Sequence, residues 1–351
     1  MSQSVHINTR ILQNKTTGVQ RYLLELLKRF DPQLVEEIHP RFPLRGMQGH
    51  AWEQFILPFS SGKKSFHHRS VLFSPSNSGP LAIGRQVVTI HDVVPLDHPE
   101  WLNSNFSKWY RFLLPKLANR VAAVLTVSEF SKERIVDRTK VSPEKVIVTP
   151  NCVDSRFKPL PESFRLASIH HLRLPSTRYV LTLGSLEPRK NLHRLLEAWS
   201  LINSQMDDDI WLVVAGGTGL SSTFRSVEFP TDLSRVYFTG HVTDDSLPSL
   251  YGQALAFTYL SVYEGFGLPP LEAMACGTPV LTGSITSLPE VVGSAGLTVN
   301  PMSIDDICAS LLQLIKDSAL QQKLSELGLA RSAQFNWNDT ARRTWDILQG
   351  V

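Results

Sequence analysis

Nine residues at 264–272, EGFGLPPLE, set two carboxylates, Glu264 and Glu272, on either side of two glycines and two adjacent prolines. They follow the apolar run ALAFTYLS, which reads as a strand, and open a short helical pattern that Gly277 and Pro279 stop. Gly265 and Gly267 allow unusual backbone angles and close approach by a ligand. A helix begun by Pro269 or Pro270 adds free N–H groups and the positive end of its dipole, so the stretch could cradle a diphosphate. A carboxylate beside a phosphate repels it unless it points at a neutral polyol, and the sugar half of a nucleotide sugar is such a polyol. Glu272 could accept from sugar hydroxyls or cap the helix. A capped helix after a tight connection writes the same pattern, and this stretch alone leaves both readings open.

Two further groups fall in loops after strands. In YVLTLGSLEPRKNLHRLLEAW, Arg189 and Lys190 precede a helix with an apolar face at Leu192, Leu195, Leu196 and Trp199. Such a pair is either a solvated loop or, beside an anion cradle in the same domain, a phosphate clamp. QVVTIHDVVPLDHPEW places His91 and Asp92 past a strand, where a histidine is either structural or ligand-facing. The acidic run Asp207-Asp208-Asp209 precedes the strand WLVVA and so sits at its wrong end for a ligand, while Asp244-Asp245 reads as a helix cap. No metal site is expected. Cys152, Cys276 and Cys308 are far apart and read as reduced packing residues.

The elements that must position these groups alternate along the chain. Strands are expected at SVLF, QVVTI, AAVLTV and KVIV in the first half, and at YVLTL, WLVVA, VYFT, ALAFTY, PVLT and GLTV in the second. Strands alternating with helices predict an α/β protein with parallel sheets, and a proline-bearing stretch with poor periodicity near 151–178 marks the joint. Two doubly wound, Rossmann-like domains in tandem would face a cleft, with ligands beyond the carboxyl ends of the strands. After GLTVNP the pattern turns helical, at 303–317, 319–335 and 337–348. The length of 351 residues suits about two domains.

Charge is unevenly shared, with 21 Lys and Arg against 13 Asp and Glu in 1–157, and 14 against 19 in 158–351. A basic first half attracts nucleic acid, an anionic membrane or a phosphorylated substrate, but no nucleic-acid-binding motif accompanies it and no nucleic-acid partner is expected. Arg41, Arg45, Lys63, Lys64 and Arg69 cluster with His67, His68, Trp52, Phe55 and Phe59, a mixture that suits either reversible contact with an anionic membrane or an ordinary solvated loop. The apolar runs are too short to span a bilayer and the start lacks a leader pattern, so a cytoplasmic protein is expected, with peripheral contact at the inner face of the plasma membrane.

Taken together, TTGVQRYLLELL, TIHDVVPLDHPEW, VLTVSEFSKERI, PNCVDSRFKP, LGSLEPRKNLHRLLEAW, FTGHVTDDSLPSLY, SVYEGFGLPPLEAMACGTPVLT and SLPEVVGSAGLTVNP resemble the group 1 glycosyltransferases, nearly end to end. The resemblance implies the two-domain GT-B fold and retaining transfer from a nucleotide sugar. It implies an acceptor-side domain at 1–157, a nucleotide-sugar-binding domain at 158–335, and a closing helix at 336–351 packed back on the first. By the same resemblance Glu264 contacts donor-sugar hydroxyls, Glu272 binds the ribose, and the amides of Gly265, Phe266, Gly267 and Leu268 hold the diphosphate. His91 reaches the donor sugar, Gly18 approaches from the opposite wall, Gly184 opens the phosphate loop and Val242 marks the base-binding segment. Many members carry arginine directly after that opening glycine, where this chain has Ser185; Lys190 is the firmer phosphate ligand and Arg189 a candidate for the missing charge.

The resemblance requires no cofactor, since the nucleotide diphosphate sugar is a substrate. HDVVPLDHPEW, WEQ and LEPRKN look most like the subgroup that assembles bacterial surface polysaccharides. That implies a hexose, with mannose from GDP-mannose the leading candidate, passed to a glycan or lipid-linked glycan acceptor. A nucleotide-sugar epimerase or hydrolase of the same fold is the alternative. VVAGGTG hints at a dehydrogenase, but no G-x-G-x-x-G follows the first strand.

Overall fold

The computed structural model describes residues 3–14, 17–44, 46–60, 70–184, 187–216 and 233–351. Its strands pair in parallel into two six-stranded sheets.

The first sheet holds β1 (Ser4–Asn8), β2 (Val35–Ile38), β3 (Ser70–Ser74), β4 (Gln86–Thr89), β5 (Ala123–Thr126) and β6 (Val146–Val148), in the order β2-β1-β3-β4-β5-β6. β3, β4 and β5 are buried along their whole length, which is why they read as continuous apolar runs. β1 and β2 escape that pattern because His6, Asn8, Glu36 and Glu37 interrupt it. β2 is an edge strand whose glutamates face solvent, while buried Asn8 donates to Glu53 at 2.8 Å.

One compact unit comprises residues 1–99, 104–151 and 336–351. Within it the helix Trp337–Gly350 docks by aromatic contacts, Trp337 on Tyr22 and Trp345 on Phe30 with centroids 6.0 and 4.9 Å apart, and by Thr340 donating to the Pro150 carbonyl at 2.9 Å.

The other unit comprises residues 100–103 and 152–335. Its sheet holds β7 (Tyr179–Leu183), β8 (Trp211–Ala215), β9 (Val236–Gly240), β10 (Ala256–Tyr259), β11 (Val280–Gly283) and β12 (Leu297–Val299), in the order β12-β11-β10-β7-β8-β9. Alternate residues feed two cores. Tyr179, Leu181, Val213, Phe257 and Val280 pack on one face, and Val180, Leu212, Val214, Ala256 and Leu281 on the other. Both faces are therefore covered, as a parallel sheet requires.

Each sheet winds outward in two directions from an inner strand. The order reverses between β1 and β3 in the first and between β7 and β10 in the second. Loops leaving neighbouring strands at such a point diverge to opposite faces and open a crevice at their carboxyl ends. The closing helices form at Ile304–Lys316, Ser318–Ser332 and Trp337–Gly350, with Ser303, Asp317 and Asn336 accepting as N-caps. Among the described residues no helix is long and apolar enough to cross a membrane.

Candidate functional site

At the β7/β10 reversal two loops meet. The one leaving β7 makes a single tight turn, Pro188–Lys190, ended by Asn191 at φ 55° before the helix Leu192–Ile202. The Val262 amide donates to the Arg189 carbonyl at 2.8 Å and pins this turn to the loop leaving β10. Lys190 Nζ then donates to Glu264 Oε1 at 2.7 Å and to the Tyr259 hydroxyl, while the Arg189 guanidinium reaches Glu264 Oε2 at 3.1 Å and Glu187 at 2.7 Å. Burial alone would raise the Glu264 carboxyl. The charges of Lys190 and Arg189, with hydrogen bonds from Lys190 and Tyr259, outweigh it and hold the group down to about 2. Burial and the neighbouring Arg189 lower Lys190, against the pull of Glu264 and Glu187. Two cations thus face two carboxylates in a water-poor crevice. A ligand bearing a diphosphate and a polyol could exchange with every one of these pairings.

The glycine loop has a different support. Gly267 sits at φ 108°, and a Cβ there would lie 2.7 Å from Leu288 Cδ2, so both the backbone angle and the space demand glycine. Leu268 opens the helix Leu268–Ala275, which places Pro269 and Pro270 second and third rather than first. The prolines remove two first-turn donors, leaving Leu268 and Leu271 with N–H groups. The buried Ser287 hydroxyl lies 3.0 Å from the Glu264 carbonyl and 2.7 Å from that of Phe266, bracing both ends of the turn. The Phe266 ring is a packing group, edge-on to Phe335 at 5.7 Å.

Glu272 is not a helix cap. It lies inside the helix, 5% exposed, accepting from the Tyr251 hydroxyl at 3.0 Å. Gly184 follows β7 directly, and its amide donates to the Ala215 carbonyl at 3.0 Å. A Cβ on Gly216, at φ 145°, would stand 2.3 Å from the Gly184 carbonyl oxygen, so this glycine in VVAGGTG serves close approach of the loops after β7 and β8. Val242 is buried in the loop past β9. Ser185 lies outside the described residues. Asp207 and Asp209 sit before β8 and pair with Arg178, and the helix Leu247–Gln253 has Ser246, rather than Asp244 or Asp245, in its N-cap position.

In the first unit, His91 follows β4 and is 7% exposed. Its Nε2–H donates to the Pro75 carbonyl at 3.0 Å, and burial lowers the ring to about 4 against that bond, so it is a neutral imidazole with the proton on Nε2. Tyr22, from the helix Gly18–Leu27, packs edge-on against it at 5.0 Å. Gly18 opens that helix in the open, with nothing within 4 Å of an added Cβ. Sequence reading overlooked a buried network at the β1/β3 reversal. Glu53 is fully buried and accepts from Asn8 at 2.8 Å and Ser78 at 2.5 Å, with Arg10 at 3.0 Å and His50 at 3.4 Å. A glutamate in an amphipathic helix reads as surface, and only the helix's place over the sheet betrays it.

Of the aromatic residues read as a surface cluster, Trp52 is in the core beside Leu57 and Leu72. Phe55 and Phe59 are 74% and 81% exposed, and Phe42, Met47 and Ile56 are exposed as well. Arg45, Lys63, Lys64, His67, His68 and Arg69 lie outside the described residues.

The chain is similar to proteins of known family and fold. Residues 169–330 match the family described as Glycosyl transferases group 1, and 66–157 match Glycosyltransferase Family 4. The chain is 34% identical to the O-antigen chain mannosyltransferase B of Escherichia coli over 76% of its length and 70% of that protein. It is 31% identical to the serotype-specific mannosyltransferase WbdA of Escherichia coli over 82% of its own length, but spans only 35% of that longer relative. Among solved structures, Anabaena HepE in complex with UDP-glucose superposes with a TM-score of 0.74 at 16% identity, each chain fully covered. WaaG, a glycosyltransferase involved in lipopolysaccharide biosynthesis, superposes with a TM-score of 0.70 at 16% identity over 99% of this chain and 100% of that one. At those identities the likeness is one of fold.

Proposed function

The chain belongs to the group 1 glycosyl transferases, and on that premise we propose that it is a retaining hexosyltransferase that moves mannose from GDP-mannose to a glycan or lipid-linked glycan in surface polysaccharide synthesis. The observation that carries the reading is the Lys190–Arg189–Glu264 cluster at the β7/β10 reversal. Breaking a glycosyl–diphosphate bond leaves added negative charge on the departing nucleotide. Lys190 and Arg189 are cations that, once turned to a bound diphosphate, would stabilise that charge as it develops. Glu264, once its cations turn to the diphosphate, is a carboxylate set to accept from sugar hydroxyls. The amides of 265–268 serve the diphosphate, Glu272 the ribose, and the segments at Gly184 and Val242 the nucleotide. In the first unit, His91 and Gly18 serve the sugar and acceptor. Because His91 is neutral with its Nε2 proton committed to Pro75, its part is positioning rather than proton transfer. The mannosyltransferase relatives support mannose as the sugar. An epimerase or hydrolase reading has no such support.

The acceptor reading includes a surface. Exposed Phe42, Phe55, Ile56 and Phe59, with the basic excess of the first half, support reversible contact of the first unit with an anionic membrane.

The function is tested by titrating GDP, UDP and dTDP in a direct binding assay, then supplying GDP-mannose with a polysaccharide or lipid-linked acceptor. Preferential GDP binding and acceptor-dependent release of GDP are expected. Preference for UDP or dTDP would overturn the donor, and turnover undiminished without acceptor would favour the hydrolase.

A further inference from the structure

We infer that Tyr259 is a positioning residue of this site, whose hydroxyl keeps the Glu264 carboxylate in place when Lys190 and Arg189 turn to an incoming diphosphate. The inference rests on the reading of that cluster as the donor site.

Tyr259 is the last residue of β10 and is 2% exposed. Its phenol touches both members of the central ion pair. Lys190 Nζ donates to the phenolic oxygen, and the phenolic O–H donates to Glu264 Oε1 at 2.9 Å. The ammonium has no other role open to it than donor, so the direction of both bonds is set. Burial, and then the Glu264 charge, push the phenol well above its ordinary value, so it stays a donor throughout the neutral range. The ring is anchored independently of the cluster. It stacks on Phe257 with centroids 5.9 Å apart and planes 22° from parallel, and the Tyr259 position pairs with Thr282 of β11.

Among the described residues, the three partners of the Glu264 carboxylate respond differently to a diphosphate. Lys190 and Arg189 are cations on side chains that can turn, and two phosphate groups compete directly with one carboxylate for them. Tyr259 is neutral, so the phosphate charge exerts no comparable pull on it, and its ring is held by packing. After the exchange the buried carboxylate would otherwise stand without a fixed donor, and such a group takes up a proton or moves. The Tyr259 hydroxyl remains to hold it ionised and aimed. Lys190 keeps a tether as well, since Nζ lies 4.8 Å from the Tyr259 ring centroid.

The test is Tyr259→Phe, which keeps the ring and removes the hydroxyl. A hydrogen bond to a charged acceptor is worth on the order of ten- to a hundredfold in affinity or rate. The expected result is a loss of that size in kcat/KM for the nucleotide sugar, while binding of the matching nucleoside diphosphate, which has no sugar for Glu264 to engage, stays within about threefold. A second comparison separates positioning from folding. In a Glu264→Gln background the same Tyr259→Phe change should cost less than about threefold, because the group it acts through is already altered. Destabilisation of the fold would instead persist in both backgrounds. Equal losses for nucleotide sugar and nucleoside diphosphate, additive losses in the double variant, or no loss at all would each overturn the role of Tyr259 and leave the donor site standing. Wild-type protein that neither binds nor turns over any nucleotide sugar would take down the donor-site reading, and this role with it.

Discussion

Lys190 concentrates the charge argument, because its side chain is only 12% exposed and its ammonium has Tyr259 and Glu264 as partners. Lys190→Ala should lower turnover by roughly 100- to 1,000-fold, the scale for losing one preorganised charge-stabilising donor; steady-state activity within threefold of wild type would remove Lys190 from the site. Glu264 gives the accompanying pH dependence. Its carboxyl is held at about 2, below the ordinary 4.5, so its contribution to stability is complete above about 4.5 and drains away as pH falls toward 2. In Lys190→Ala the folded carboxyl value rises toward 4.5, so an acid titration of stability should show a smaller loss that is complete at a higher pH. His91 makes the opposite forecast. At about 4 it is already neutral through the assay range, so the turnover profile between pH 5 and 8 should carry no limb from it. A limb near 6.5 that disappears in His91→Asn would show that the imidazole titrates there after all.

Elements differ in why their glycines are glycines. An alanine Cβ at 267 would be strained by φ 108° and would meet Leu288, whereas one at 18 meets nothing within 4 Å. Gly267→Ala should therefore destabilise the second unit by about 1–3 kcal/mol and weaken donor binding together, through a distorted loop. Gly18→Ala should leave stability within about 0.5 kcal/mol, so that any fall in activity reports ligand contact. Denaturant unfolding beside kinetics separates the two, and a Gly18→Ala variant of full activity would remove Gly18 from the ligand wall. The helix Met47–Phe55 is held over the first sheet by Glu53, whose carboxyl is lowered despite burial because His50, Arg10 and Ser78 face it. Glu53→Ala strands the Arg10 charge and should cost about 3–5 kcal/mol. Unfolding unchanged to within 1 kcal/mol would mean that water reaches Arg10.

At the scale of the molecule, the charge split sets a basic first half against an acidic second half. Each basic side chain near an anionic bilayer is worth about 1 kcal/mol and is screened by salt. Sedimentation with anionic vesicles should occur at low salt, weaken at physiological salt, and fall when Phe55 and Phe59 are changed to serine or Lys63, Lys64 and Arg69 to glutamine. Protein that stays in the supernatant with anionic vesicles at low salt would point to a soluble acceptor.

The sequence by itself determined what short-range chemistry can write. Alternating apolar runs named the α/β class, and the glycine-proline loop between Glu264 and Glu272 carried a resemblance that the family match and the 34% identical relative bear out. The closing helices were legible from their start and stop signals. Tertiary structure decided the rest, because partners distant along the chain leave no local trace. Strand order, and with it the two reversals, arises from parallel pairings between segments far apart; β1 was hidden because its Asn8 is satisfied by Glu53, a neighbour that only the fold supplies, and β2 because its glutamates face solvent at the sheet edge. Arg189 stands 75 residues from the carboxylate it meets, and Tyr259 looks like one more apolar residue at the end of a strand. Only the meeting of the loops after β7 and β10 turns that strand end into the hydroxyl between Lys190 and Glu264, since a hydrogen bond depends on separation in space and direction and not on position along the chain.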